Sequence, residues 1–416
     1  MLQKPRVVFW NNIPSPYLVA RLNAVTAAGN IDIEAWFNAE RTEMRSWKVD
    51  PSGWLFRARY IPQRGLLGRT FNLPFAELRD DPPDVLISLF DRPQFAINSF
   101  AARVTAKRTA YRALPSYDTW SKRTWYGELT KNILFRMLDG AIVPGPTGRE
   151  QTMRYGLPAD RSYDVTQTID VAQWLPAREM PADDRDRRRA ELGLTGCVFV
   201  YVGRLWSGKG LDDLVNAFRT VQAQQPDVSL LLIGDGPEED RYRQMTTDLD
   251  NVVFTGFVQG DELPTYYALA DVSVFPTLGD PHGLVVEEAL AAGLPVIATE
   301  NAGDIRLRLP EGEAGYVVPI QDAVTLANRM LRLASDDALR QRLAANTLSV
   351  VEGKSHDTYV RDFERFIERL LEKPARQSPV ALLGRGIGTL LMQTGPAKAT
   401  PAPYLNVTEQ EQIVNA

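Results

Sequence analysis

Residues 270–298 read ADVSVFPTLGDPHGLVVEEALAAGLPVIA. The apolar run DVSVFP (271–276) suits a buried strand, and LPVIATE (294–300) suits another. Between them lie a Gly- and Pro-bearing loop, TLGDPH, and a stretch of small residues expected to be a helix from about Gly283. Strand, loop, helix and strand in that order build a parallel sheet. The acids here admit two readings. In the local one, Asp280 caps the helix, and Glu287 and Glu288 complement its positive end. In the other, the first turn receives a phosphate, Gly283 lets the backbone come close, and Asp280 and Glu288 accept hydrogen bonds from hydroxyls on either side. Two carboxylates would repel a lone phosphate but suit one flanked by polyols, as in a sugar nucleotide.

The surrounding sequence repeats the pattern. CVFVYVGRL (197–205), VSLLLIGDG (228–236) and NVVFTGFV (251–258) read as strands. LDDLVNAFRTVQAQ places Leu211, Leu214, Val215, Phe218 and Val221 on one helical stripe. In YVGRLWSGKG (201–210) a strand ends at Gly203, and the loop beyond it carries Arg204 and Lys209. A guanidinium fork and a mobile ammonium at a strand's carboxyl end suit a diphosphate, although a solvated loop fits as well. The first half alternates likewise, with strands at 6–10, 31–38, 83–90 and 140–145. The expected class is α/β, with two Rossmann-like doubly wound parallel-sheet domains facing a central cleft. Residues 1–170 form the first domain, 171–190 a polar interdomain linker leading into a surface helix, and 191–355 the second domain. Residues 356–373 form a closing helix, and 374–416 a flexible tail. The apolar piece VALLGRGIGTLLM (380–392) inside that tail either docks on the body or lies on a membrane surface.

The chain has 416 residues and a net charge of −5, unevenly spread. Residues 1–170 carry 23 Lys and Arg against 17 Asp and Glu, and the remainder 24 against 35. The basic half suggests an anionic partner: membrane phosphates, a lipid diphosphate or, on charge alone, nucleic acid. A solvated surface is the plain alternative. One cysteine, Cys197, excludes an internal disulfide, and two histidines, His282 and His356, leave no His/Cys metal site. No apolar run reaches the length of a membrane span, and the first residues do not read as a signal peptide. The expected location is the cytoplasm, with peripheral contact of the basic domain at the membrane's inner face. The stretch TWSKRTWYGELTKNILFRML (119–138) reads as a partly buried domain helix or an interfacial one.

VGRLWSGKGLDDLVNAF, LIGDGP, VVFTGFV and ADVSVFPTLGDPHGLVVEEALAAGLPVIA, in this order and spacing, resemble the donor domain of family 4 (group 1) retaining glycosyltransferases of the GT-B fold. Over about residues 5–373 the resemblance continues more loosely. It implies that Arg204 and Lys209, with Gly203 before them, meet a donor diphosphate, and that Glu288 holds the ribose. By the same resemblance Asp280, shorter than the family's usual Glu, faces the transferred sugar. Amides near Gly283, Leu284 and Val285 would meet phosphate or sugar, and Phe257 and Val258 the base. His282 faces the donor phosphate or packs in its loop. Ser15 and Tyr17 of PSPY stand on the acceptor side or form a rigid turn. Some members place a His from the first domain near the reacting carbon; here no His precedes 282, so that role is empty, reassigned or filled by a group such as Asp91. The implied partners are a nucleotide-diphosphate sugar and a glycan or lipid-linked glycan, with no metal, no cofactor and no nucleic acid. A sugar-nucleotide epimerase of the same fold, a metal-dependent transferase using DLD (248–250) and a non-catalytic scaffold are the competing functions.

Overall fold

The computed structural model describes residues 4–40, 50–66, 69–88, 92–112, 125–258, 260–393 and 400–405. They fall into two compact units, one from residues up to 166 together with 356 onward, the other from 167–355.

In the first unit the strands are β1 (Arg6–Asn11), β2 (Asp32–Phe37), β3 (Arg57–Tyr60), β6 (Val85–Ser88), β7 (Arg108–Arg112), β8 (Gly140–Val143) and β9 (Ser162–Asp164). They form a seven-stranded sheet in the order β3-β2-β1-β6-β7-β8-β9. Every pairing in it is parallel. The hairpin β4 (Gln63–Leu66) and β5 (Arg69–Asn72) stands apart. Alternate residues of β1 serve opposite faces, as the pleat dictates. Val7 and Phe9 pack beneath the helix Pro16–Ala28, while Val8 and Trp10 join the core on the other side.

The second unit has six parallel strands: β10 (Cys197–Val202), β11 (Val228–Ile233), β12 (Val252–Gly256), β13 (Val272–Phe275), β14 (Val296–Thr299) and β15 (Gly315–Val318). Their order is β12-β11-β10-β13-β14-β15. The chain reverses direction across the sheet between β10 and β13, and ligands of such sheets bind beyond the carboxyl ends at that point. Phe199 and Tyr201 pack with Leu211, Leu214 and Phe218 on one face; Val198 and Val200 pack with Val286 and Ala289 on the other.

Residues 171–190, expected as a linker leading into a surface helix, contain the helix Val171–Arg178 and most of the helix Ala182–Leu192, joined through residues 179–181. The second is pinned to the sheet where Arg185 and Arg189 both reach Asp271, at 2.7 and 2.8 Å. The helix His356–Glu372 belongs to the first unit. Its Tyr359, Phe363, Phe366, Ile367 and Leu370 make a continuous apolar stripe, with Phe366 meeting Tyr163 edge-on at 5.2 Å. The described parts of the expected flexible tail are built in. Pro379–Met392 is a helix against Arg92–Thr105, so close that a Cβ on Gly388 would stand 2.1 Å from the Phe100 carbonyl oxygen. Leu405 N–H donates to the Ala58 carbonyl (2.7 Å), and Tyr404 lies over the Arg59 guanidinium (3.9 Å). Tyr404 also donates to the buried Glu34 (3.2 Å), which pairs with Arg6 (2.6 Å) and Arg59 (2.8 Å).

Candidate functional site

The loops after β10 and β13 meet at the switch point. Gly203 N–H donates to the Ile233 carbonyl (2.9 Å), and Leu205 N–H to that of Asp235 (2.8 Å). The glycines of GDGP make this lacing possible: a Cβ on Gly234 would lie 2.0 Å from the Gly203 carbonyl oxygen, and one on Gly236 2.2 Å from that of Leu205. Gly210, at φ +69°, passes so near the other loop that a Cβ would stand 1.9 Å from the Pro276 carbonyl oxygen. This close passage places Lys209, from the turn Ser207–Lys209, beside the loop after β13.

There its Nζ lies 2.5 Å from Oδ2 of Asp280, with the two side chains 20% and 17% exposed. The Asp280 Oδ1 accepts from the His282 N–H (2.9 Å). Burial pushes the Asp280 carboxyl up, but the Lys209 ammonium, these hydrogen bonds and the Arg308 charge outweigh it and hold it below the ordinary Asp range. Arg204 stands on the same loop as Lys209; its guanidinium is 6.0 Å from the Trp206 ring centroid, and its carbonyl accepts from the Tyr201 hydroxyl (2.9 Å).

The local reading of Asp280 as a helix cap does not hold. The helix spans Val285–Ala291, two residues later than expected, and its N-cap is Leu284. Gly283, at φ +71°, sits so tightly on Phe275 that a Cβ would be 2.5 Å from the ring. Glu287 and Glu288 stand in the first turn of this helix, as the local reading expected, and each has a side-chain partner besides. Glu287 is buried in a fork with Arg308, Nε to Oε1 at 2.7 Å and Nη2 to Oε2 at 2.6 Å. Arg308 also donates to the carbonyls of His282, Gly283, Ala302 and Gly303, so one side chain ties together two strand-end loops. Glu288 has no exposed surface and accepts from the Tyr267 hydroxyl at 3.3 Å.

His282 packs in its loop: it is buried, with Nε2 3.6 Å from Glu287 Oε1. Phe257 and Val258 follow the edge strand β12; Phe257 is exposed, and Val258 is half-buried against the core. In the first unit Ser15 caps the helix Pro16–Ala28 by accepting from the Leu18 N–H (3.4 Å), and the Tyr17 carbonyl accepts from Arg21 (3.0 Å). Asp91 lies outside the described residues. Asp248 of DLD is held by Arg219 through two 2.9 Å bonds in a turn before β12, and the described residues include no carboxylate, His or Cys cluster suited to a metal.

Sequence reading missed Arg308 and Tyr267, the partners of the two glutamates. It also missed Arg21 and Arg112, buried in the first unit with Tyr359 nearby. Burial, then repulsion from Arg21, lowers Arg112 to about 9.

Residues 196–336 match the family described as glycosyl transferases group 1. The chain is 32% identical over 198 residues to the lipopolysaccharide core biosynthesis glycosyltransferase LpsE of Rhizobium meliloti, covering 45% of this chain and 54% of that protein. It is 31% identical over 222 residues to the GDP-mannose-dependent alpha-(1-6)-phosphatidylinositol monomannoside mannosyltransferase of Mycobacterium tuberculosis, covering 50% and 56%. It thus spans about half the length of these curated relatives. Among solved structures, Alr3699/HepE of Anabaena in complex with UDP superposes with a TM-score of 0.69 at 19% identity, over 88% of this chain and all of that one. Sucrose-phosphate synthase of Thermosynechococcus elongatus gives 0.70 at 21% identity, over 88% and 99%. The chain has the GT-B fold of two Rossmann-like domains, and the family match lies within the second of them.

Proposed function

We propose that this chain is a retaining glycosyltransferase that moves a sugar from a nucleotide-diphosphate donor to a hydroxyl of a glycan or lipid-linked glycan, in polysaccharide or glycolipid synthesis. The observation carrying this reading is the Lys209–Asp280 contact at the switch point of the second sheet. The pair keeps a cation and a carboxylate a hydrogen bond apart, as a diphosphate bearing a polyol requires. On donor binding the Lys209 ammonium turns to the diphosphate, and Asp280 accepts from sugar hydroxyls instead. Arg204 and Lys209 then stabilise the negative charge that grows on the leaving nucleoside diphosphate. The anomeric configuration is kept by attack from the face the leaving group vacates, with its phosphate taking the acceptor's proton.

Glu288 fits the ribose role less directly than Asp280 fits its own, since its carboxylate is buried against Tyr267. Reaching a ribose requires that Glu288 turn away from that hydroxyl. Gly203, the amides of Gly283, Leu284 and Val285, and the backbone at Phe257 and Val258 complete the donor site in this reading; Ser15 and Tyr17 stand on the acceptor side. The relatives named for lipopolysaccharide core and for a phosphatidylinositol mannoside support an acceptor of glycolipid type.

The test is Arg204→Ala with a panel of nucleotide sugars. Loss of one charge-assisted contact should cost about 1.5–3 kcal/mol, a fall in kcat/KM of about 10- to 150-fold. Unchanged turnover and donor affinity would refute the site. Release of nucleoside diphosphate only when acceptor is supplied separates transfer from epimerisation.

A further inference from the structure

The helix Pro379–Met392 packs through small residues, with Val380, Leu391 and Met392 against the cores beneath, and turns three leucines outward. Ala381, Gly384 and Gly388 are buried, whereas Leu382, Leu383 and Leu390 are 56%, 65% and 67% exposed. At 3.6 residues per turn these three leucines fall within about 100° of arc, with the exposed Gly386 among them and the buried Gly384 and Gly388 opposite. A helix facing water carries the reverse pattern. Packing through glycine with leucine turned out is how helices sit beside one another in lipid.

A second stripe adjoins it. In the helix Trp125–Phe135 the exposed residues Trp125, Tyr126, Leu129 and Ile133 also share about 100° of arc. The first helix and the residues leading into it touch the carboxyl end of the second. A Cβ on Gly384 would stand 2.5 Å from the Met137 sulfur, Ser378 Oγ donates to the Arg136 carbonyl (2.7 Å), and Arg376 donates to that of Phe135 (2.9 Å).

We infer that this face of the first unit docks on a lipid surface bearing anionic headgroups. Charge selects that occupant. Residues 373–408 contain no Asp or Glu, and the exposed Arg385 is the one charge on the helix; Lys373 is paired with Asp160, and Arg376 with the carbonyls of Phe135 and Gly156. An apolar face with a cation among its leucines, beside an exposed Trp and Tyr, matches an interfacial helix. The helix is about 21 Å long, short of a bilayer's hydrocarbon core, so it lies along the interface. Among the described residues no helix is long and apolar enough to cross a membrane. This docking does not depend on the transfer reaction proposed above.

The experiment is sedimentation of the full chain with unilamellar vesicles of phosphatidylcholine, with and without phosphatidylglycerol. Leu382→Asn/Leu383→Asn should lower the partition coefficient at least tenfold, with the melting temperature and donor binding unchanged because both side chains are exposed. Arg385→Glu should lower binding to the anionic vesicles more than to the neutral ones. Should the leucine variant fail to fold, Trp125→Ser/Leu129→Ser on the other helix should show the same loss. Three results overturn the inference: wild type left in the supernatant, folded variants that bind as wild type does, or a wild-type dimer without lipid that the leucine variant dissociates.

Discussion

Arg308 offers the sharpest test of how the second unit holds its strand-end loops. Its guanidinium is buried, makes two charge-assisted bonds to Glu287 and donates to four main-chain carbonyls. Arg308→Met leaves Glu287 as a buried carboxylate without that cation, which costs about 3–5 kcal/mol. At about 2–4 °C per kcal/mol for a unit of this size, the melting temperature should drop by about 6–20 °C, read by calorimetry. Arg308→Lys should recover only part of this, because an ammonium cannot reproduce the fork. Adding Glu287→Leu to Arg308→Met removes the stranded charge and should restore about 1–3 kcal/mol. The remaining deficit reflects the carbonyls. A single variant within about 0.5 kcal/mol of wild type, or strictly additive losses in the double variant, would refute the account.

Other outcomes follow from the same geometry. In the proposed donor site Asp280→Asn releases Lys209, so nucleoside diphosphate alone should bind at least as tightly as to wild type while sugar transfer falls; calorimetric titration set beside turnover checks this, and equal losses in both would count against it. Gly210→Ala forces a left-handed backbone on an L-residue, at about 1–2 kcal/mol, and drives a methyl into the Pro276 carbonyl. Both the melting temperature and donor affinity should decline, and a neutral result would remove the argument for close loop passage. At Glu34, burial pushes the carboxyl up, but Arg59 and then Arg6 pull it below its usual range. Its stabilising contribution is therefore complete above the unfolded value, about pH 4.3, and vanishes as pH falls through the lower folded one. Thermal melts across that window should show the loss, and Glu34→Gln should be less stable at neutral pH and less sensitive to acid.

Much of this architecture was legible because buried parallel strands appear as short apolar runs with Gly or Pro at their ends, as CVFVYVG and DVSVFP do. The loop positions of Arg204, Lys209 and Asp280 followed from those strand ends. The Arg308–Glu287 fork did not, since its members come from different helices 21 residues apart, and nothing local marks Arg308 as buried. Glu288 read as a ligand residue, but its burial against Tyr267 depends on a helix from another part of the sheet. The return of His356–Glu372 to the first unit was equally hidden. Its stripe shows that one face is covered without showing by which sheet. The helix Pro379–Met392 was obscured by its glycines, which weaken an isolated helix but let this one touch the Phe100 backbone.

The first unit's discontinuity in the chain shapes how the molecule is made. During synthesis, residues 167–355 leave the ribosome before Phe363 and Phe366 exist to cover Phe9 and Tyr163. At about 5–20 residues per second, the earlier-made sheet waits roughly 10–40 s with that flank uncovered, while the later-made unit already has all of its own chain. The amino-terminal half is thus the last to mature, and nascent chains stalled before residue 356 should engage chaperones through β1 and β9.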